Sequence, residues 1–147
     1  MSVILYSGWY SPELCQRHPN KVFVFGDNMR GFGKGGQAVI RDEPNAFGVP
    51  TKRLPSMVDE AFFREGDSDA LDAILNALEE LWGRLKDRDT VVIPTTKTGK
   101  VSLGLERAQL DTLAPSLYAT IAQHVEEMVD SYGGRRAEDE TELIAAY

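Results

Sequence analysis

Residues 22–41, VFVFGDNMRGFGKGGQAVIR, join an apolar run to a loop with four glycines in six positions, and a helix-like run follows. A strand apolar at nearly every position is buried on both faces, the habit of parallel sheets covered by helices. Backbone this rich in glycine either turns sharply or lets something approach closely. Arg30 and Lys34 sit in or beside the loop. The stretch therefore predicts an α/β fold with an anion-facing loop at a strand end.

Periodicity extends the pattern outward. SVILY (2–6), KVFVF (21–25), AFGVPT (46–51) and TVVIP (90–94) read as strands. Residues 35–43 suit a short helix, and 57–64 a helical turn. At 68–87, Leu71, Ile74, Leu75, Leu78, Leu81, Trp82 and Leu85 follow helical spacing and predict a core face, with Asp67 or Ser68 as N-cap. A last helix starts near Pro115, pointing Leu117, Tyr118, Ile121, Val125 and Met128 inward, with His124 a half-buried structural residue beside them. Residues 133–147 read as a charged tail or a short docked helix after one domain at 1–132. Alternating strands and helices imply a sheet covered on both faces.

Bulk properties narrow the function. The 147 residues suit a single domain, and no apolar run approaches the roughly 18 residues of a membrane span. The N-terminus lacks the features of a secretory signal, so a cytoplasmic protein is expected. Cys15 is the only cysteine and excludes an intramolecular disulfide. His18 lies close to it in sequence, but no third group completes a Cys–His nucleophile, and an incidental thiol is the expectation. Two histidines do not predict a metal site, and no cofactor is expected. The net charge of −7 opposes nucleic-acid binding except at a local patch such as Arg30, Lys34, Lys52, Arg53, Lys97 and Lys100.

Ligands of such sheets bind beyond the carboxyl ends of the strands, which selects loops 26–36 and 95–104. Gly31, Gly33 and Gly36 match G-x-G-x-x-G literally, yet GDNMR separates them from the strand and no acid follows on a second strand, so a dinucleotide fold is excluded. TGKVS lacks the first glycine and the Ser or Thr of a phosphate-binding P-loop. Each loop alone reads as a turn with solvated charges. Two together at strand ends predict a clasp for a diphosphate, with Arg30, Lys34, Lys97 and Lys100 as local positive charge.

In this order and spacing, FGDNMRGFGKGGQAVI and VVIPTTKTGKVSLGL, with FGVPTK between them, resemble the macro domain, in particular its divergent bacterial and phage relatives. The resemblance implies a three-layer α/β/α fold with a mixed central sheet that binds ADP-ribose or a related nucleotide diphosphate. It further implies removal of ADP-ribose from a modified macromolecule as the activity to test, which would make the protein a hydrolase. Gly26, Arg30, Gly31, Gly33, Lys34, Gly35 and Gly36 would then line one side of the ligand, and Thr96, Lys97, Thr98, Gly99, Lys100 and Gly104 the other. Asn28 would point at the distal ribose. Asp27 would orient a water, or else form an Asx-type turn. Gln37 stands where many such domains have an acid. Trp9 and Tyr10 are candidates to stack on a base. The alternative is a non-enzymatic interaction or inhibitor protein using the same scaffold, for example in phage–host conflict.

Overall fold

The computed structural model describes residues 2–144. Its elements run β1 (Val3–Tyr6), α1 (Pro12–Arg17), β2 (Lys21–Asn28), a 3-10 helix (Gly36–Ile40), β3 (Ala46–Lys52), a second 3-10 helix (Asp59–Ala61), α2 (Ser68–Lys86), β4 (Thr90–Pro94), α3 (Leu110–Leu113), α4 (Pro115–Tyr132), β5 (Gly134–Ala137) and α5 (Glu140–Ile144). The strands form one sheet in the order β3-β2-β4-β1-β5. Every pairing between these strands is parallel, for example Val3 with Val91, Phe23 with Val92, and Phe25 with Gly48. The expected mixed sheet is thus corrected. Strand direction follows from where the crossovers run, which local pattern does not encode.

The continuous apolar run of β2 serves both faces by simple alternation. Val22 and Val24 pack with α2 and α4, whereas Phe23 and Phe25 pack with α1, the first 3-10 helix and α5. β4 divides the same way, Val91 and Ile93 to one side and Val92 to the other. The connections β1 to β2 and β2 to β3 advance toward one edge over one face. Those from β3 to β4 and β4 to β5 return over the opposite face, the reversal that right-handed crossovers require. The result is a three-layer α/β/α fold.

α2 buries Ala70, Ile74, Leu78, Leu81 and Leu85 almost completely. Each large side chain contributes about 1.5–3 kcal/mol relative to exposure. Leu75, expected on that stripe, lies on its flank and is 37% exposed. Asp67 occupies the N-cap position without capping, because its carboxylate accepts from the Arg64 N–H and from Arg53. In α4 the inward residues are those expected, and the Tyr118 hydroxyl donates to the Val101 carbonyl. His124 is half-buried and accepts at Nδ1 from Trp82 Nε1 at 3.0 Å.

The segment after Gly133 adds a strand that the sequence did not predict. Gly134–Ala137 is an edge strand on β1, with Leu5 opposite Arg136, and α5 folds back on α1. Glu140 receives Arg17 Nε at 2.7 Å and lies 2.9 Å from His18 Nε2, while Leu143 is buried. The last three residues of the expected tail lie outside the described residues.

Candidate functional site

β2 and β4 are neighbours, yet the chain leaves β2 over one face of the sheet and β4 over the other. Their carboxyl ends therefore flank a topological switch point, the usual place for a ligand in such sheets. β2 continues through Gly26, Asp27 and Asn28, where a loop was expected, so the free part of the first loop (29–36) and loop 95–104 both start there. Gln37 ties them together. Its Oε1 accepts the Gly26 N–H at 2.9 Å, and its Nε2 donates to Ser102 Oγ at 3.2 Å. Behind this bridge the backbones pass closely: a side chain on Gly26 would begin 3.7 Å from the Gly104 nitrogen.

The first loop is held from inside. Asn28 makes a compact turn, its Oδ1 accepting the N–H groups of Arg30 and Gly31 and its Nδ2 donating to the Phe32 carbonyl. Arg41 clamps the loop from beneath. Its Nε donates to the Gly33 carbonyl at 2.8 Å, its terminal nitrogen pairs with Asp27 at 2.6 Å, and the guanidinium lies over the Phe25 ring. Both members of the Asp27–Arg41 pair are mostly shielded from solvent. The side chains expected to hold a ribose and orient a water are thus engaged in shaping the loop.

Gly31, Gly33 and Gly36 all have positive φ, where a side chain would be strained. Gly35 differs. Its φ of −79° suits any residue, but a Cβ there would lie 1.7 Å from an Arg107 guanidinium nitrogen. The space a side chain would take at 35 is filled only by the flexible end of Arg107, which reaches across from beyond the second loop and lies on Gly35. Among the described residues, no protein acceptor takes the N–H groups of Gly33, Lys34, Gly35 or Gly36. The expected helix after the loop is a 3-10 helix of five residues, too short to act through a dipole.

The second loop is a tight hairpin in which Thr95 bridges Val101 and the Thr96 N–H donates to the Lys100 carbonyl. Thr96 and Thr98 share a hydrogen bond, and Arg136 of β5 packs over Gly99 and donates to the Thr98 carbonyl. Lys100 turns toward Asp111 and the Tyr118 ring. Lys34 pairs with Asp42 on the surface. Arg30 and Lys97 are exposed and, among the described residues, pair with no carboxylate. Gly104 is buried behind the mouth against Leu110. Trp9, after β1, is 93% exposed at the same end, whereas the Tyr10 hydroxyl donates inward to the Val24 carbonyl.

Two cavities lie away from the loops. One of about 610 Å³ opens at the amino ends of β2, β3 and β4, lined by Cys15, Lys21, Glu43 and Arg84. Burial pushes the Cys15 thiol up to about 12, which makes it inert, and His18 turns to Glu140 instead of the sulfur. The other, about 210 Å³, lies beside Tyr6, Trp9 and Glu140. Among the described residues, no three His, Cys, Asp or Glu side chains converge as a metal site would need. Among the described residues, no helix is long and apolar enough to cross a membrane.

A model of the DUF7831 family, described as a family of unknown function, matches residues 5–124. The chain belongs to this family. The DUF7831 match runs from β1 into α4 and takes in both loops, Gln37, Lys52 and Arg107, while leaving out β5 and α5. Neither the curated proteins nor the solved structures include a match.

Sequence reasoning missed Gln37 as a tie and gave no role to Arg107, Arg41 or Arg136. Each acts through a tertiary approach, and spacing along the chain carries no sign of it.

Proposed function

We propose that the mouth between loops 26–36 and 95–104 binds the diphosphate of ADP-ribose or a close relative, in the manner of a macro-type domain. One observation carries this: two glycine loops, tied by Gln37 at a switch point, present the unpaired N–H groups of Gly33 to Gly36. Consecutive backbone donors beside local positive charge suit an anion. Arg30, Gly31 and Lys34 would rim one side, and Thr96 to Lys100 the other.

The reading favours binding over removal of ADP-ribose. Asp27 is paired with Arg41 and Asn28 is spent on its turn, so neither stands ready to move a proton. An ADP-ribosylated macromolecule would then be a partner to be recognised. A cytoplasmic setting agrees with a single buried thiol. Calorimetry with ADP-ribose tests the proposal: folded protein that gives no heat at millimolar ligand overturns it.

A second reading has its own support. Trp9, Met29, Phe32, Met57 and Val58 are exposed on the loops that follow β1, β2 and β3. Apolar side chains grouped at one end suit a protein partner and a non-enzymatic interaction role. Under that reading, a bulky residue at Gly35 would leave partner binding intact.

A further inference from the structure

At the edge of the mouth, the buried Lys52 and the exposed Arg107 meet no carboxylate among the described residues, and the Ser56 hydroxyl meets no acceptor. Lys52, at the end of β3, is 9% exposed, and its ammonium donates to the Ser56 carbonyl and contacts Met57 Sδ. The Phe62 ring lies 5.0 Å away, and no carboxylate pairs with it among the described residues. Ser56 itself keeps its Oγ buried with no hydrogen-bond partner among those residues. Arg107, lying on Gly35, makes no ion pair or hydrogen bond among them either.

Lys52 differs from other cations that meet no carboxylate, such as the exposed Arg30 and Lys97, in being buried. Arg17, Arg41, Arg53, Arg64 and Arg84 each meet a carboxylate. A buried ammonium without a counter-charge is costly. Burial lowers the Lys52 pKa, and the positive field of Arg107 lowers it further. An anion between them would favour the charged form of Lys52.

We propose that Lys52 and Arg107 are the cations that select a phosphoryl dianion at this mouth, Arg107 by direct contact over Gly35 and Lys52 by charge from beneath. The inference rests on the anion-binding reading above and names its substrate class: a ligand with a diphosphate or terminal phosphate, not a neutral nucleoside. A planar guanidinium can bond two phosphoryl oxygens at once, while the ammonium acts as a point charge.

Calorimetry with inorganic pyrophosphate and with ADP-ribose tests this on wild type, Arg107→Gln and Gly35→Val. The valine variant displaces Arg107 without removing its charge. Wild type should bind pyrophosphate more weakly as salt rises, and each variant should lose about tenfold or more in affinity while its melting temperature stays put. Without any ligand, the Lys52 amine followed by carbon NMR should titrate at higher pH in Arg107→Gln. Pyrophosphate affinity equal in wild type and Arg107→Gln overturns the inference, as does a Lys52 titration that does not move. If pyrophosphate binds through Arg107 and ADP-ribose does not bind, the inference stands and the nucleotide reading falls. If ADP-ribose binds both proteins equally, the reverse holds. Failure of wild type to bind either probe sinks both.

Discussion

The side-chain amide of Gln37 spans from the Gly26 N–H to Ser102, so one residue sets the distance between two loops separated by some 70 positions in the chain. Gln37→Ala would leave the Gly26 N–H without its partner, at a cost of about 1–3 kcal/mol. Urea unfolding should show that loss, and ADP-ribose affinity should fall beyond what stability explains. Unchanged stability together with unchanged affinity would mean that the tie is dispensable.

The Asp27–Arg41 pair should behave as a unit. Truncating either partner leaves the other charge half-buried, so Asp27→Ala and Arg41→Met should each destabilise by about 1–3 kcal/mol. The double variant should lose clearly less than the sum of the two. Additive losses would show that the two side chains act independently and that the loop is held by other contacts.

Acid should loosen α5 before the core. Hydrogen bonds from Arg17, and then from His18, hold the Glu140 carboxyl down to about 2, below its ordinary value of 4.5. A depressed carboxylate adds stability that is present above the unfolded value and lost as pH falls toward the folded one. Protection of the Leu143 amide, relative to its intrinsic exchange rate, should therefore fall between about pH 4.5 and 2. Glu140→Gln should remove most of that dependence. Protection at Leu143 that stays constant across this window would count against the coupling.

Cys15 should resist thiol reagents in the native protein. Burial holds its thiol up to about 12, so almost no thiolate exists at neutral pH. Ellman's reagent should react only as the chain unfolds, with the rate tracking urea concentration. Fast labelling without urea would contradict the packing around α1.

The strands expected at 2–6, 21–25 and 90–94 and the helices α2 and α4 were visible in the chain because burial writes a local period into it, although β2 runs three residues further. β5 was not. In Gly-Arg-Arg-Ala only Ala137 is buried, and the strand exists because β1 offers it a free edge. Parallel direction throughout the sheet is likewise set by the crossovers and not by any strand alone. At the mouth, the glycine loops could be found because they follow buried strands. The roles of Asp27 and Asn28 could not be told from type, since a short polar side chain at a strand end serves a turn as readily as a ligand. The turn weighed for Asp27 is made by Asn28. Arg107 and Lys52 face the mouth only after loops far apart in sequence have met.

The position of β4 between β1 and β2 has a consequence for how the chain assembles. Until Thr90–Pro94 is synthesised, β1 has no neighbour, for its two partners are β4 and the later β5. The first strand made must wait for nearly ninety residues before it can join the sheet. The nascent chain meanwhile carries Val3, Ile4 and Tyr6 uncovered, so the interval before β4 emerges is when the protein is most open to aggregation and most in need of a chaperone.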